Sequence, residues 1–237
     1  MRYLFSLFLL FLISCAPVKI EKVNWIDVYY QDFPGVVSII HDSDIYGKYH
    51  KCTGSLIKPD LVLTAAHCLN DKDLLPEDLI IGYNCNDVSS PMSCYLTRVS
   101  SFVSQRETDI GLIFLDFEIN APVSELGEET PQEGQLIFVI GYGTRGILKG
   151  GATQVIAAEG NFFASSYESW MRPEPGDSGG PAYTISNRRV EIVGITASRE
   201  TRCLVGECFS FIKYIDVVKQ RQWIEDAYRI SGPQPGN

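Results

Sequence analysis

Gly176-Asp177-Ser178-Gly179-Gly180-Pro181 is the stretch from which the rest of this 237-residue chain is best read. A serine hydroxyl is a weak nucleophile until a base removes its proton, and the oxyanion formed by its attack must be met by fixed donors. The glycines around Ser178 permit a tight turn that aims backbone N–H groups at one point. A serine among glycines is by itself only a flexible turn, so a nucleophilic Ser178 requires a base and an orienting acid elsewhere in the chain.

Two further segments hold candidates. Thr64-Ala65-Ala66-His67-Cys68 follows Cys52-Thr53-Gly54-Ser55-Leu56, with the two cysteines sixteen positions apart. Asp109 opens the apolar run of Thr108-Asp109-Ile110-Gly111-Leu112, where alone it would read as an ordinary strand-edge residue. His41 and His50 lack comparable surroundings and are expected to be structural or solvated. Taken in the order His67, Asp109, Ser178, these segments resemble those of the chymotrypsin-like serine proteases. That order differs from those of the α/β-hydrolases and subtilisins. Gly141-Tyr142-Gly143 resembles another landmark of the family, usually Gly-Trp-Gly, and the likeness runs from about residue 33 to 230.

The resemblance implies a residue-by-residue assignment. Ser178 attacks the scissile carbonyl, His67 takes its proton, and Asp109, buried behind the histidine, orients it. The N–H groups of Gly176 and Ser178 form the oxyanion hole. In the family the cysteine after the catalytic histidine bridges back sixteen residues, which implies Cys52–Cys68. The implied fold is two antiparallel β-barrels packed face to face, at about residues 33–120 and 130–212, with the site in the cleft between them.

The chain's own pattern agrees with an all-β class. Short apolar runs at Gly35–Ile40, Leu61–Thr64, Ile110–Leu115, Leu136–Ile140 and Val190–Ile195 are bounded by turn residues and predict strands. Only residues 215–230 read as a helix, stopped by Ser231-Gly232-Pro233. Residues 122–134 are turn-rich and suit a link between two halves.

Three departures from the family bear on function. Arg172 stands six residues before Ser178, where the family sets the base of its primary pocket, and a cation there suits an acidic substrate side chain. Alternatively Arg172 points elsewhere or pairs with Glu174. Ala197 aligns where the family usually has a serine that supports the catalytic aspartate. An Ile-Val-Gly-Gly start is absent, whereas in the family a freed N-terminal ammonium pairs with the aspartate preceding the nucleophile, here Asp177. Cleavage after Lys22 would expose Val23, eleven residues before Pro34 and close to the family spacing.

The amino terminus reads as a targeting segment. Arg2 precedes the apolar stretch Tyr3–Ile13, too short to span a bilayer comfortably, and residues 1–14 are expected to be a signal peptide. Leu12-Ile13-Ser14-Cys15 resembles the bacterial lipobox. Lipidation of Cys15 would leave residues 15–32 as a tether or propeptide and anchor the chain to the cell envelope; a plain secretory signal is the alternative. Of seven cysteines, setting Cys15 aside leaves six, and proximity favours Cys52–Cys68, Cys85–Cys94 and Cys203–Cys208. A net charge of −9 without a basic stripe disfavours nucleic acid as a partner. Asp71, Asp73, Glu77 and Asp78 read as a solvated acidic turn rather than a calcium loop, and no cofactor motif is visible. The expected function is a serine endopeptidase acting on protein or peptide substrates, with an activating protease as a further partner. The alternative is a catalytically silent binding module on the same fold.

Overall fold

The computed structural model describes residues 26–33, 35–43, 47–90, 94–167, 173–186, 189–204 and 207–232. Among these residues fourteen strands run in chain order: β1 (Ile26–Asp27), β2 (Val36–Ser43), β3 (Gly47–Lys58), β4 (Leu61–Ala65), β5 (Leu79–Tyr83), β6 (Tyr95–Gln105), β7 (Ile110–Leu115), β8 (Glu125–Leu126), β9 (Leu136–Gly141), β10 (Lys149–Glu159), β11 (Phe162–Ser166), β12 (Pro181–Ser186), β13 (Arg189–Leu204) and β14 (Glu207–Asp216). Among the described residues a single α-helix, α1 (Val217–Ser231), follows them.

The strands close into two antiparallel six-stranded barrels. The first has the cyclic order β2-β3-β4-β7-β6-β5. In the second, β9 pairs with both β10 and β12, closing the ring β9-β10-β11-β14-β13-β12. All five apolar runs singled out from the sequence lie within or overlap strands, and the expected all-β architecture with a C-terminal helix is what forms. Alternation decides what each barrel encloses: Ile137 and Val139 of β9 are fully buried, while Phe138 between them is 37% exposed. Ile137, Val139, Phe163, Ile212 and Tyr214 belong to the cluster filling the second barrel. A larger cluster joins first-barrel residues such as Leu63 and Leu112 to Tyr142, Tyr183 and Ile192 of the second half, so the barrels share a core.

The turn-rich segment between the barrels stitches them together. The Ser124 N–H donates to Leu56 O of β3 at 2.8 Å, and β8 then pairs in parallel with β13. The helix begins at Val217, two residues later than the sequence pattern suggests, because Ile215 and Asp216 still pair in β14. Asp216 caps the helix by accepting the N–H groups of Val218 and Lys219 at 3.1 and 3.4 Å, satisfying donors that a helix start leaves open. The helix returns to the first barrel, where Tyr228 stacks on Phe114 and donates to Asp60.

Candidate active site

His67 stands on a short 3-10 helix, Ala66–Leu69, that continues directly from β4. The disulfide Cys52–Cys68 ties that turn to β3, as the resemblance implies. Asp109 closes the turn before β7 with a left-handed backbone, φ 56°, a conformation tolerated by aspartate better than by most residues. Its carbonyl accepts the Ala66 N–H at 2.9 Å. Its carboxylate accepts the His67 backbone N–H at 2.9 Å and lies 3.0 and 3.1 Å from His67 Nδ1. With Nδ1–H committed to Asp109, Nε2 is left as the basic nitrogen. The aspartate is less enclosed than the resemblance implies: its side chain is 28% exposed, because the turn lies at the mouth of the barrel rather than beneath it.

Ser178 comes from the opposite barrel, on the loop before β12. The first barrel holds that loop from below. The Thr53 N–H donates to Ser178 O at 2.9 Å, and the Thr53 hydroxyl donates to Gly176 O at 2.7 Å. Two of the motif glycines are needed for this approach. Gly176 has φ 102°, and a Cβ there would lie 2.4 Å from Gly143 O; Gly179 has φ 79°, with a Cβ 2.1 Å from the Thr64 hydroxyl. Among the described residues, neither the Gly176 nor the Ser178 N–H is spent on an internal hydrogen bond. The loop meets the histidine turn at Cys68, whose Sγ is 3.8 Å from Ser178 O, but no hydrogen bond joins the Ser178 hydroxyl to His67 among the described residues. Such bonds are often long in ligand-free enzymes and tighten when substrate binds.

His50, expected to be structural or solvated, is half-buried beneath the same loop. Its Nε2 donates to Gly176 O at 3.0 Å and its Nδ1 accepts from Ser38 Oγ at 2.7 Å. Burial lowers its pKa to about 4, so the ring is neutral near pH 7. His41, by contrast, contacts the Tyr49 hydroxyl at the surface.

Asp177 is 2% exposed and accepts the N–H groups of Gly143 and Glu174 at 2.8 and 2.7 Å. Burial outweighs these donors and pushes its pKa up to about 6. It faces a cavity of about 200 Å³ that Tyr142, Arg145, Lys149 and Glu174 also line.

A second cavity, of about 450 Å³, opens beside Ser178 and is lined by Ala197, Pro175, Ile212, Tyr167 and Arg199 among others. Ala197 is among the residues that line it. Arg172, Cys15, the signal segment and the Lys22–Val23 bond lie outside the described residues. Sequence reading passed over Arg199 and Tyr167; the only available signal was that Arg199 stands two residues after Ala197. The other two disulfides pair as proximity favoured, Cys85–Cys94 and Cys203–Cys208. His67 lies within 4.8 Å of the Cys52 and Cys68 sulfurs, but sulfurs bonded to each other are not thiolate ligands. In the acidic turn, Asp71 pairs with Lys51 and Asp78 caps the Leu75 N–H.

These two barrels and the loops at their junction define a class, and comparison with known proteins agrees. The family model described as Trypsin matches residues 23–224, and the chain belongs to that family. Among curated relatives it is similar to Hypodermin-B of Hypoderma lineatum, 31% identical over 125 residues covering 48% of this chain and 45% of that protein. Trypsin theta of Drosophila erecta is 27% identical over 207 residues, 75% of this chain and 76% of that protein. Snake venom serine protease 2B of Craspedocephalus gramineus is 32% identical over 102 residues, 39% and 38% of the two chains. The alignment thus spans less than half of the first relative and about three quarters of the second.

Proposed function

We propose that this protein is a serine endopeptidase in which Ser178 is the nucleophile, His67 the general base and Asp109 the residue that orients it. The observation that carries the reading is the His67 Nδ1–Asp109 pair at 3.0 Å on one barrel, facing a Ser178 loop on the other with two uncommitted N–H groups. As Ser178 Oγ bonds to the carbonyl carbon, its proton passes to His67 Nε2, and the oxyanion receives the Gly176 and Ser178 N–H groups. His67 then returns the proton to the leaving amine as the C–N bond breaks. Water, deprotonated by the same nitrogen, hydrolyses the acyl-Ser178 ester.

Activation follows from Asp177. A carboxylate this buried, held by two N–H donors and facing a cavity, suits an ammonium group. β1 places residues 26 and 27 against Gly150 and Lys149, and Lys149 itself lines that cavity. Val23 is three residues upstream of Ile26, within roughly 10 Å of extended chain. A protease cutting after Lys22 would deliver the Val23 ammonium to Asp177 and release the domain from a lipid anchor at Cys15 in the bacterial cell envelope. The three disulfides suit an oxidising compartment outside the cytosol.

Labelling with a serine-directed fluorophosphonate tests the reading, using the intact chain, a form beginning at Val23, and Ser178→Ala. Labelling that is lost in Ser178→Ala supports the nucleophile. Confinement of labelling to the Val23 form supports activation, and a first residue of Cys15 in the active protein sinks it. If no form labels, the protein is a binding module, the reading that the missing Ser178–His67 hydrogen bond would then favour.

A further inference from the structure

The cavity beside Ser178 has one feature that the catalytic reading does not use. Among its described lining residues Arg199 is the sole cation. Its placement depends on a backbone irregularity. β13 pairs with β14 as Thr196↔Tyr214 and then as Ser198↔Lys213, so Ala197 is an extra residue, a β-bulge. A one-residue bulge moves every following side chain to the opposite face of the strand. Arg199 consequently pairs with Ile212, whose side chain belongs to the barrel interior, rather than with Phe211 on the outer face. Arg202 and Lys213 fall on that outer face, where Arg202 lies over Phe211 and Lys213 pairs with Glu200 at 3.3 Å.

Arg199 is exposed, yet its head group is held in place. Its guanidinium carbon lies 3.9 Å from the Tyr167 ring centroid, its Nη1 donates to the Tyr167 hydroxyl at 3.2 Å, and its Nη2 reaches Ser210 Oγ at 3.5 Å. These contacts use two of five N–H donors and bring no negative charge. Among the described residues no carboxylate pairs with Arg199. Glu174 also lines the cavity, but its carboxylate turns away: Oε2 would lie 3.3 Å from a Cβ on Gly143, on the Asp177 side of the loop.

From this arrangement we infer that Arg199 selects substrates with an acidic side chain immediately before the scissile bond. The inference rests on Ser178 being the nucleophile. The stem of a Glu or Asp lies along Ile212, Ala197 and Pro175, and its carboxylate takes the remaining N–H groups of Arg199. A planar guanidinium held over an aromatic ring suits such two-point recognition.

The experiment first uses fluorophosphonate labelling, which reads Ser178 without any peptide side chain, to find the competent form, intact or beginning at Val23. That form is then given fluorogenic peptides that differ only before the cleaved bond, carrying Glu, Asp, Gln, Asn, Lys, Arg or Leu. The expected result is a kcat/KM for Glu over Gln of roughly tenfold, appropriate to one solvent-exposed charge contact. The ratio shrinks as salt is raised. It collapses toward one in Arg199→Ala, is partly kept in Arg199→Lys, and inverts in favour of Lys in Arg199→Glu, an outcome that a misfolded variant cannot give. A labelled protein that cleaves best after Lys, Arg or Leu overturns the inference and leaves Ser178 in place. So does an acidic preference that survives Arg199→Ala and disappears in Arg172→Ala. Absence of labelling in every form overturns the catalytic reading and this inference with it.

Discussion

Two aspartates flank the barrel junction, and the chain treats them in opposite ways. Asp109 lies at the mouth of the first barrel, partly in solvent, with its carboxylate against the ring and N–H of His67. Asp177 lies one residue from Ser178, almost fully enclosed, with two backbone N–H donors and a pKa displaced to about 6. Water and an adjoining donor ring leave the first group compensated. Among the described residues the second has no ion-pair partner, and the charge of nearby Lys149 offsets its desolvation only in part. In the activation proposed above, the first group already has its partner and the second is the one that takes an ammonium.

The largest effect expected from this contrast is at Asp109. Asp109→Asn keeps the shape of the turn but offers an amide N–H where His67 Nδ1–H needs an acceptor, which favours the wrong tautomer. A fall in kcat of about 10⁴-fold, with KM little changed, is the outcome when an orienting aspartate is converted in this way. Steady-state kinetics on a peptide ester and amide would check it. A loss below tenfold would mean that solvent at the barrel mouth already does most of what Asp109 is assigned to do.

Asp177→Asn should behave differently in the two forms of the chain. In the intact chain the substitution removes a buried, unpaired charge and should be neutral or mildly stabilising near pH 7 in urea unfolding. In the form beginning at Val23 it breaks an ion pair, and fluorophosphonate labelling should slow about 100-fold, in keeping with a few kcal/mol for a half-removed buried pair. Equal effects in both forms would remove the ammonium from the account of activation.

How far the sequence carried this reading depended on what each segment had to satisfy. β7 is buried along its whole length and announces itself as a continuous apolar run, Ile110–Leu115. β3 and β10 do not: Gly47–Lys58 and Lys149–Glu159 mix lysine, threonine and glycine, because each is buried only for part of its length. The segments around the candidates Ser178, His67 and Asp109 stood out because tight turns and a disulfide constrain their neighbours to a few residue types. Arg199 was not legible, since its position depends on a bulge at Ala197 that only the pairing of β13 with β14 reveals. His50 was expected to be structural or solvated, and it braces the Ser178 loop. Its importance comes from Gly176 O, which is 126 residues away in sequence and touches its ring.

The smallest effect is also the one that separates the two titratable groups under the Ser178 loop. His50 titrates near 4 in the folded chain and near 6.5 when unfolded, so between those values the unfolded state binds more protons. Its contribution to stability is therefore full above about pH 6.5 and is lost as pH falls toward 4. Asp177 has the opposite sign: its folded pKa of about 6 exceeds the unfolded 3.8, so the folded state binds more protons in that window and stability falls as pH rises through it. Each is worth on the order of 3 kcal/mol, and in the intact chain they largely cancel between pH 4 and 6. Urea midpoints measured across this range should be nearly flat for the intact protein, rise with pH in Asp177→Asn, and fall with pH in His50→Gln. In the form beginning at Val23 the ammonium lowers the Asp177 pKa, which shrinks its opposing contribution between pH 4 and 6 and leaves the rise from His50 exposed. A flat profile in that form would show that Asp177 is still waiting for its cation.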